Sequence, residues 1–479
     1  MRDHVCFSLN GRERTVHGRD VFLTVSDYLR GPCQAAGTKV VCAEGDCGAC
    51  TVLINRGNGF VPIDSCIQFV HQIDGAQVMT VEGLSATNEL HPVQQALIDH
   101  HGSQCGYCTP GFVMALAGWK EAGCPVDAAS PRISLTGNLC RCTGYTAIFA
   151  AADQIRRMPA SPLAERYPRQ SFATDALRVE ADGRTVFMPT TLADAIAFKQ
   201  RHPEAQIVAG ATELGVWRNK RGFEPAHLLN LSRLAELDGV TLTDSAISIG
   251  ANATWTQIEP IAKQALPEFH KIIERFGSPQ IRNAGTLAGN VANGSPIADS
   301  LALLFVLDAT IEIAGPTGQR RRSINGFYTG YKKKDLAPDE LISRIVIPLP
   351  APGDRMRLIK VSRRWDMDIA SFGAAILIRE EAGVINHAAV AFTGVASTVV
   401  RLPTVEAALV GKPMSEETFR KAGKAARAAI RPIDDVRGSA EFRLQLAENA
   451  LLKFYWTEYE RSPGVIGGHE IKATAEVRN

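Results

Sequence analysis

The stretch VCAEGDCGACTV, residues 41–52, holds three cysteines in the spacing Cys-x4-Cys-x2-Cys. A single further cysteine follows in IDSCI, residues 63–67. Three close cysteines and a distant fourth are the ligand spacing of a plant-type [2Fe–2S] cluster. The glycines Gly45 and Gly48 allow a loop whose backbone N–H groups point at the cluster sulfurs. The stretch therefore predicts a ferredoxin-like domain whose iron ligands are Cys42, Cys47, Cys50 and Cys66.

A structural zinc site is the alternative for this first quartet, because zinc also binds four cysteines. Zinc sites usually pair cysteines about two to four residues apart on both sides of the site. Here the second side supplies only Cys66. An iron–sulfur cluster is therefore the preferred interpretation.

A second quartet lies in GSQCGYCTPGF, residues 102–112, and GNLCRCTGYTAI, residues 137–148. Thr109 and Pro110 are predicted as the N-cap and first residue of a helix, and the other pair also precedes a helical pattern. The partial positive charge at a helix start stabilises thiolates, which iron requires. A zinc site and a redox-active dithiol are the weaker alternatives. The predicted ligands are Cys105, Cys108, Cys140 and Cys142.

The composition limits the class of protein. The chain has 479 residues, 45% of them apolar, and a net charge of +2, so nothing favours nucleic acid as a partner. No apolar run reaches the roughly 18 residues of a membrane helix, and the first residues lack the apolar core of a secretory signal. Eleven cysteines without a signal suggest metal ligation in a reducing cytoplasm.

Periodicity predicts the local structure. Alternation around Asn10-Gly11 predicts a hairpin over residues 5–16, and QVMTVEGL, residues 77–84, is another strand candidate. Helical patterns dominate residues 88–158. The remainder is mixed α/β, with a helix predicted over SPIADSLALLFVLDA, residues 295–309.

The two cysteine motifs, in this order, resemble the iron–sulfur module of the xanthine oxidase family of molybdenum hydroxylases. IVAGATEL, residues 207–214, resembles the first flavin-binding loop of that family, and GTLAGNVANGSPIAD, residues 285–299, resembles the second. SRRWDMDIA, residues 362–370, and DDVRGSAEFR, residues 434–443, are also similar to family segments. The resemblance covers nearly the whole chain.

The resemblance implies an α+β multidomain fold. The expected units are a ferredoxin-like β-grasp domain (1–87), a four-helix-bundle [2Fe–2S] domain (88–158), a linker (159–180), an α/β FAD-binding domain of the carbon monoxide dehydrogenase flavoprotein type (181–350) and a C-terminal α+β subdomain (351–479).

Two glycine-rich turns feeding helix starts are suited to a pyrophosphate. Neither a P-loop lysine nor a GxGxxG motif is present, so a nucleoside triphosphate site and a Rossmann fold are disfavoured. Phe276 is expected to stack on the isoalloxazine ring, with core packing as its alternative, and Lys360 has a surface lysine as its alternative. The FAD contacts implied by the resemblance are Ile207, Val208, Ala209, Gly210, Ala211, Thr212, Glu213, Leu214, Phe276, Thr286, Leu287, Ala288, Gly289, Asn290, Asp299, Ile342 and Lys360.

The resemblance also implies a function. A large subunit with the molybdenum cofactor would oxidise hypoxanthine and xanthine to urate, and this chain would pass the electrons through the helical-domain cluster, the ferredoxin-like cluster and FAD to NAD+. No catalytic residue is expected in the chain beyond its redox centres. The expected assembly is a cytoplasmic heterotetramer of two small and two large subunits. An aldehyde or N-heterocycle dehydrogenase of the same family, or a non-catalytic electron-carrier subunit, are the alternatives.

Overall fold

The first domain begins with the predicted hairpin in the computed structural model. Strands β1 (His4–Leu9) and β2 (Arg12–His17) pair antiparallel. Asn10 and Gly11 turn between them at φ 52° and 80°, the left-handed conformation that a two-residue hairpin requires. The prediction of a hairpin is confirmed. The structure describes residues 1–85, 89–124, 131–159 and 162–458.

The hairpin belongs to a five-stranded mixed sheet. Its other strands are β3 (Thr51–Asn55), β4 (Val61–Asp64) and β5 (Gln77–Met79). The strand order is β2-β1-β5-β3-β4, and β1 and β5 run parallel. Helix α1 (Val25–Arg30) packs on the sheet, where the Tyr28 ring meets the edge of Phe7 at 6.0 Å. This is the predicted ferredoxin-like β-grasp fold.

The strand predicted over residues 77–84 is shorter than expected. It ends at Met79, and Val81–Leu84 forms the helical turn α2. Asn10 explains the change, because its side-chain oxygen accepts the Thr80 N–H at 2.9 Å and so replaces a strand partner. A side chain at Gly83 would also collide with Asn10.

The second domain is helical, as predicted. Its helices within the described residues are α3 (Pro92–Asp99), α4 (Thr109–Glu121), α5 (Pro131–Leu135) and α6 (Thr146–Arg157). Helix α4 is buried from Gly111 to Trp119 because it lies between the other helices and the first domain, where it packs against β3. The predicted boundary between residues 87 and 88 lies outside the described residues.

The segment predicted as a linker, 159–180, has structure of its own. It contains helix α7 (Leu163–Arg166), and its last residues enter strand β6 (Leu177–Ala181). Gln77 of the first domain donates to the carbonyls of Tyr167 and Pro168 at 3.0 and 3.2 Å. The segment is therefore held against the first domain.

The third domain contains two larger sheets and the two-stranded sheet β14-β15, together with seven helices within the described residues. One sheet has the order β6-β7-β9-β8, and the other is antiparallel with the order β10-β11-β16-β12-β13. Its further strands are β7 (Arg184–Met188), β8 (Gln206–Val208), β9 (His227–Asn230), β10 (Val240–Leu242), β11 (Ala246–Gly250), β12 (Thr310–Gly315), β13 (Gly318–Ser323), β14 (Tyr328–Gly330), β15 (Lys333–Lys334) and β16 (Leu341–Pro348). Its helices are α8 (Leu192–Arg201), α9 (Leu214–Arg221), α10 (Trp255–Ala265), α11 (Pro267–Glu274), α12 (Pro279–Arg282), α13 (Leu287–Asn293) and α14 (Leu301–Val306).

Two expectations for this domain need correction. The second glycine-rich loop is largely helical, because Gly289 and Asn290 lie within α13. The helix predicted from Ser295 begins only at Leu301, so Asp299 precedes the helix instead of lying in its first turn. Ser300 explains the late start, since its hydroxyl donates to the Asn290 side chain at 2.6 Å and holds the preceding turn against α13.

The C-terminal subdomain is a four-stranded antiparallel sheet covered by helices. The strands are β17 (Asp354–Val361), β18 (Phe372–Glu381), β19 (Val384–Thr393) and β20 (Val400–Arg401), and the helices are α15 (Pro403–Leu409), α16 (Glu416–Ala429) and α17 (Ala440–Glu458). Alternate residues of β18 face opposite ways, so Ala375 and Leu377 join the core of the third domain while Ala374 and Ile376 pack under the helices. In the described residues no helix is long and apolar enough to cross a bilayer. The last residues of the predicted subdomain, 459–479, lie outside the described residues.

Candidate cofactor sites

The first cysteine quartet is a group of four thiols, two buried and two partly exposed. The Cys42 thiol contacts those of Cys47 and Cys66, and the Cys66 thiol also contacts that of Cys50. Cys50 and Cys66 are each only 2% exposed. The structure therefore brings the four predicted ligands of the first quartet together.

The loop around this quartet has the conformation that a cluster needs. Gly45 and Gly48 have φ of 78° and 64°, a left-handed region that favours glycine. The Asp46 N–H donates to the Cys42 sulfur at 3.4 Å, which is the inward orientation expected for a sulfur-ligated metal. Four thiolates fit a [2Fe–2S] cluster and also fit zinc, so the donor set alone allows both.

The second quartet is also assembled but lies at the surface. Cys108 contacts Cys140, and Cys105 contacts Cys142. Cys105 and Cys142 are exposed. Burial acts to raise the pKa of Cys140, but hydrogen bonds from the Thr143 hydroxyl and N–H, at 3.2 and 3.4 Å, lower it below its usual value. These donors favour the thiolate that a metal ligand requires.

The helix starts beside this quartet differ from the prediction. Helix α4 begins one residue early, at Thr109, and Cys108 itself occupies the N-cap position. Thr109 exchanges a hydrogen bond with Ser103 at 2.8 Å, so its hydroxyl is not available as a cap. Helix α6 begins at Thr146, so Cys142 lies outside the turn where the helix dipole acts most strongly.

The two quartets are joined by direct contacts. The Leu139 N–H donates to the Cys47 carbonyl at 3.0 Å, immediately before Cys140 in the chain. The Asn138 side chain donates to the Gly48 carbonyl at 3.0 Å. Gln280 of the third domain donates to Asn138 at 2.9 Å. Each quartet therefore holds the other in place.

Exposed apolar side chains surround the second quartet. Val41, Tyr107 and Leu139 are 64%, 46% and 43% exposed. The Tyr107 hydroxyl donates to the Val40 carbonyl at 3.2 Å, which ties this rim to the first domain. Large apolar residues grouped on a surface are typical of interaction sites. We call Val41, Tyr107 and Leu139 the apolar rim.

The first predicted flavin loop forms a turn between β8 and α9. Ala211 has φ 55°, and Gly210 lies so close to the second loop that a side chain there would come within 2.1 Å of the Ala284 carbonyl. Within the described residues, no protein acceptor takes the N–H groups of Gly210, Ala211 and Thr212. Three adjacent unpartnered N–H groups form a concave anion site.

The second predicted loop places a helix start beside this turn. The Thr286 hydroxyl caps α13 by accepting the Gly289 N–H at 3.0 Å, which leaves the N–H groups of Leu287 and Ala288 without intrahelical partners. The contact between Gly210 and Ala284 puts the two sets of donors side by side. Such an arrangement fits a pyrophosphate, as the resemblance implies for FAD.

Asp299 and Lys360 form a buried ion pair near these turns. Their Oδ2 and Nζ atoms are 2.7 Å apart, and Lys360 also donates to the Arg275 carbonyl at 3.3 Å. Burial raises the pKa of Asp299, although the Lys360 charge opposes it. The surface alternative for Lys360 is wrong, because its side chain is only 3% exposed. Its contact with a flavin stays a prediction.

Two apolar residues complete the predicted set. Phe276 is half-buried, with its ring 4.7 Å from that of Trp255, so packing accounts for it and its stacking role stays a prediction. Ile342 lies in the same core cluster as Leu287 and Ala288. The predicted flavin residues thus lie in the third domain, except Lys360, which reaches Asp299 of that domain from strand β17.

Several residues of this region were missed by the sequence analysis. Gln68 and Gln72 of the first domain donate to the carbonyls of Gly210 and Ala209 at 2.8 and 2.9 Å. Asn219 of α9 donates to the Cys66 carbonyl at 2.7 Å. These partners are more than a hundred residues apart in the chain, and no local pattern indicates them.

Comparison with protein families gives three matches along the chain. Residues 80–153 match the [2Fe-2S] binding domain, residues 179–350 match the FAD binding domain in molybdopterin dehydrogenase, and residues 357–457 match the CO dehydrogenase flavoprotein C-terminal domain. The matches agree with the α+β multidomain fold predicted from the sequence.

Curated relatives are longer than this chain. A xanthine dehydrogenase of Drosophila subobscura is 29% identical over 97% of the chain, which corresponds to 40% of the relative. Aldehyde oxidase 1 of Bos taurus is 27% identical over 94% of the chain and 39% of the relative.

Solved structures match somewhat more than half of the chain. A carbon monoxide dehydrogenase from Hydrogenophaga pseudoflava superposes with a TM-score of 0.54 at 30% identity, over 57% of this chain and 96% of that one. Quinoline 2-oxidoreductase from Pseudomonas putida 86 gives a TM-score of 0.53 at 28% identity, over 56% and 94%.

Proposed function

Because the chain belongs to the xanthine oxidase and carbon monoxide dehydrogenase family of molybdenum hydroxylases, as their iron–sulfur and FAD-binding portion, we propose that it is the electron-transfer subunit of a xanthine dehydrogenase. One observation carries the proposal. A surface quartet, a buried quartet and a pair of anion-binding turns contact one another in series, through Leu139 on Cys47 and through Asn219 on Cys66. Bound clusters carry single electrons, and a flavin converts them to two-electron hydride chemistry.

The chain's own residues define the two ends of this series. The surface quartet and the apolar rim form the end where a molybdenum-cofactor subunit docks. The flavin turns form the other end, where NAD+ is the proposed acceptor. The proposed assembly is a cytoplasmic heterotetramer of two small and two large subunits, in which the large subunit oxidises hypoxanthine and xanthine to urate.

Xanthine is the proposed substrate because two xanthine dehydrogenases, at 29% and 30% identity, are slightly more similar to this chain than the aldehyde oxidase is at 27%. In this account the chain does not touch the purine, and no side chain in it serves as a catalytic acid or base. Its contribution is to place and insulate the redox groups. The large subunit selects the substrate.

The test uses the untagged chain purified together with its partner. We expect about four iron atoms and one FAD per chain, with molybdenum in the partner and xanthine-dependent reduction of NAD+. Zinc in place of iron would contradict the cluster assignment. Iron and FAD without xanthine oxidation would reject the xanthine substrate while keeping the electron-transfer role.

A related substrate class is the second candidate. An aldehyde oxidase is similar over 94% of this chain and quinoline 2-oxidoreductase over 56% of it, so an aldehyde or an N-heterocycle is the alternative substrate. A panel of xanthine, quinoline and benzaldehyde with the purified complex distinguishes the classes. A flavin-loaded chain that fails to oxidise NADH with an artificial acceptor would instead indicate a non-catalytic electron carrier.

A further inference from the structure

Two buried glutamines of the first domain hold the first flavin turn. The side-chain amide of Gln68 donates to the Gly210 carbonyl at 2.8 Å, and that of Gln72 donates to the Ala209 carbonyl at 2.9 Å. The glutamines are 1% and 4% exposed. Consecutive carbonyls of one turn are thus fixed by a different domain.

Neighbouring hydrogen bonds fix both glutamines. The Gln72 side-chain oxygen accepts the Phe69 N–H at 2.9 Å, so its amide nitrogen must face the Ala209 carbonyl. The Gln68 carbonyl accepts the Val25 N–H at 2.7 Å, which anchors its backbone to the start of α1. The Gln72 amide is therefore held in one orientation, and the Gln68 side chain extends to the turn from an anchored backbone.

Fixing these carbonyls also fixes the N–H groups that follow them. In a planar trans peptide the C=O of one residue points opposite to the N–H of the next. Holding the carbonyls of Ala209 and Gly210 therefore directs the N–H groups of Gly210 and Ala211 away from the first domain. These N–H groups are among those that lack a protein acceptor within the described residues.

The same segment carries part of the buried quartet. Cys66 lies two residues before Gln68, and its carbonyl accepts from Asn219 at 2.7 Å. A side chain at Gly215 would lie 2.3 Å from the Ile67 carbonyl, so α9 rests directly on this segment. Binding of a cluster to the first quartet would order this segment. The two glutamines would pass that order on to the flavin turn.

We propose that Gln68 and Gln72 are positioning residues that preorganise the flavin turn and couple FAD binding to the loaded first quartet. This inference rests on the proposed function only in taking FAD as the ligand of the turns. Preorganised donors bind more tightly because they are already ordered before the ligand arrives. By linkage, FAD would stabilise the loaded quartet to the same extent.

The test replaces both donors by side chains of similar size, in the full-length chain with its iron loaded. For Q68M/Q72M we expect the dissociation constant of FAD, measured from the flavin fluorescence, to rise about tenfold. Iron content and the cluster EPR spectrum of FAD-free protein should match the wild type. FAD should also slow iron loss to a chelator in the wild type and do so less in the variant.

Gln77 provides the matched control. It lies in the same domain, is 4% exposed and donates to two backbone carbonyls, but those carbonyls belong to Tyr167 and Pro168. Q77M should bind FAD within about twofold of the wild type. An equal loss in Q77M, or unchanged binding in Q68M/Q72M, would overturn the positioning role.

If Q68M/Q72M does not fold, the single variants still test the proposal. The single variants Q68M and Q72M each remove one donor, and each should weaken FAD binding more than Q77M does. Single variants that bind FAD like Q77M would overturn the inference. A wild-type chain that binds no FAD at all would instead reject the proposed function.

Discussion

The two cysteine quartets differ in their surroundings. The first is enclosed by the first domain, helix α9 and the flavin turn, with Cys50 and Cys66 each 2% exposed. The second opens to the surface through Cys105 and Cys142. The second quartet is therefore the more accessible of the two, which suits the partner-facing role proposed for it.

The largest expected effect is a difference in FAD content between cysteine substitutions in the two quartets. In C66S we expect iron to fall from about four to about two atoms per chain and FAD to fall as well, because Asn219 binds the carbonyl of that segment. C142S should lose the same amount of iron and keep its FAD. Iron, flavin and EPR measurements on purified chains check this. Equal loss of FAD from both variants would contradict the difference between the quartets.

The next substitution disturbs the packing of helix α4 against the loop of the first quartet. A side chain at Gly111 of α4 would lie 2.2 Å from the Gly48 carbonyl, which is backbone and cannot move aside. We expect G111A to lower stability by about 1–3 kcal/mol, seen as a lower Tm. G118A on the same helix meets only side-chain atoms at longer distances, of Leu53 at 2.9 Å and Pro62 at 3.0 Å, so it should lower the Tm less. A larger loss in G118A would refute this account of the contact.

A pH dependence is expected from His71, which is buried in the first domain. Burial, with a smaller effect of the Arg184 charge, lowers the pKa of His71 to about 3. The unfolded ring titrates near 6.5, so between these values the unfolded state binds more protons and stability falls as the pH falls. At pH 5 the loss is about 2 kcal/mol.

Replacing His71 should reduce this dependence. H71Q should show a smaller fall in Tm between pH 7 and pH 5 than the wild type, while H387Q should behave like the wild type. Some dependence will remain in H71Q, because burial also lowers the pKa of His91 to about 4. An unchanged slope in H71Q would show that His71 is not the titrating group.

The smallest expected effect concerns the apolar rim beside the second quartet. Leu139 is 43% exposed beside the second quartet, and a charge there should disfavour docking of a partner. We expect L139E to weaken binding of the molybdenum subunit about tenfold, with iron and FAD unchanged. Ile433, which is 70% exposed in the C-terminal subdomain, provides the control I433E. If L139E and I433E weaken binding of the molybdenum subunit equally, the apolar rim is not the docking surface.

The cysteine quartets and the first hairpin could be predicted from the sequence, because each has a recognisable pattern of residues. Cysteine spacing indicated both quartets because their ligands lie close together in the chain, and Asn10-Gly11 indicated the first hairpin by its backbone conformation. The two flavin loops were located through resemblance. The structure then added the contact between Gly210 and Ala284, which makes them one site.

What the sequence did not indicate depends on particular side-chain hydrogen bonds, some between domains and some within one. Gln68 and Gly210 are joined across 142 positions, and nothing near either residue signals the pairing. The shortened helix at Leu301 depends on Ser300 binding Asn290, and the early start of α4 depends on Thr109 binding Ser103. In these places tertiary hydrogen bonds override the local pattern.

Anaerobic titration of the cofactor-loaded chain with NADH tests the central claim most directly. Flavin absorbance and the EPR signals of the clusters are followed together as NADH is added. We expect NADH to bleach the flavin and two distinct [2Fe–2S] signals then to appear, because the sites are connected in one chain. Flavin reduction with no cluster signal, or zinc in place of iron in either quartet, would contradict it.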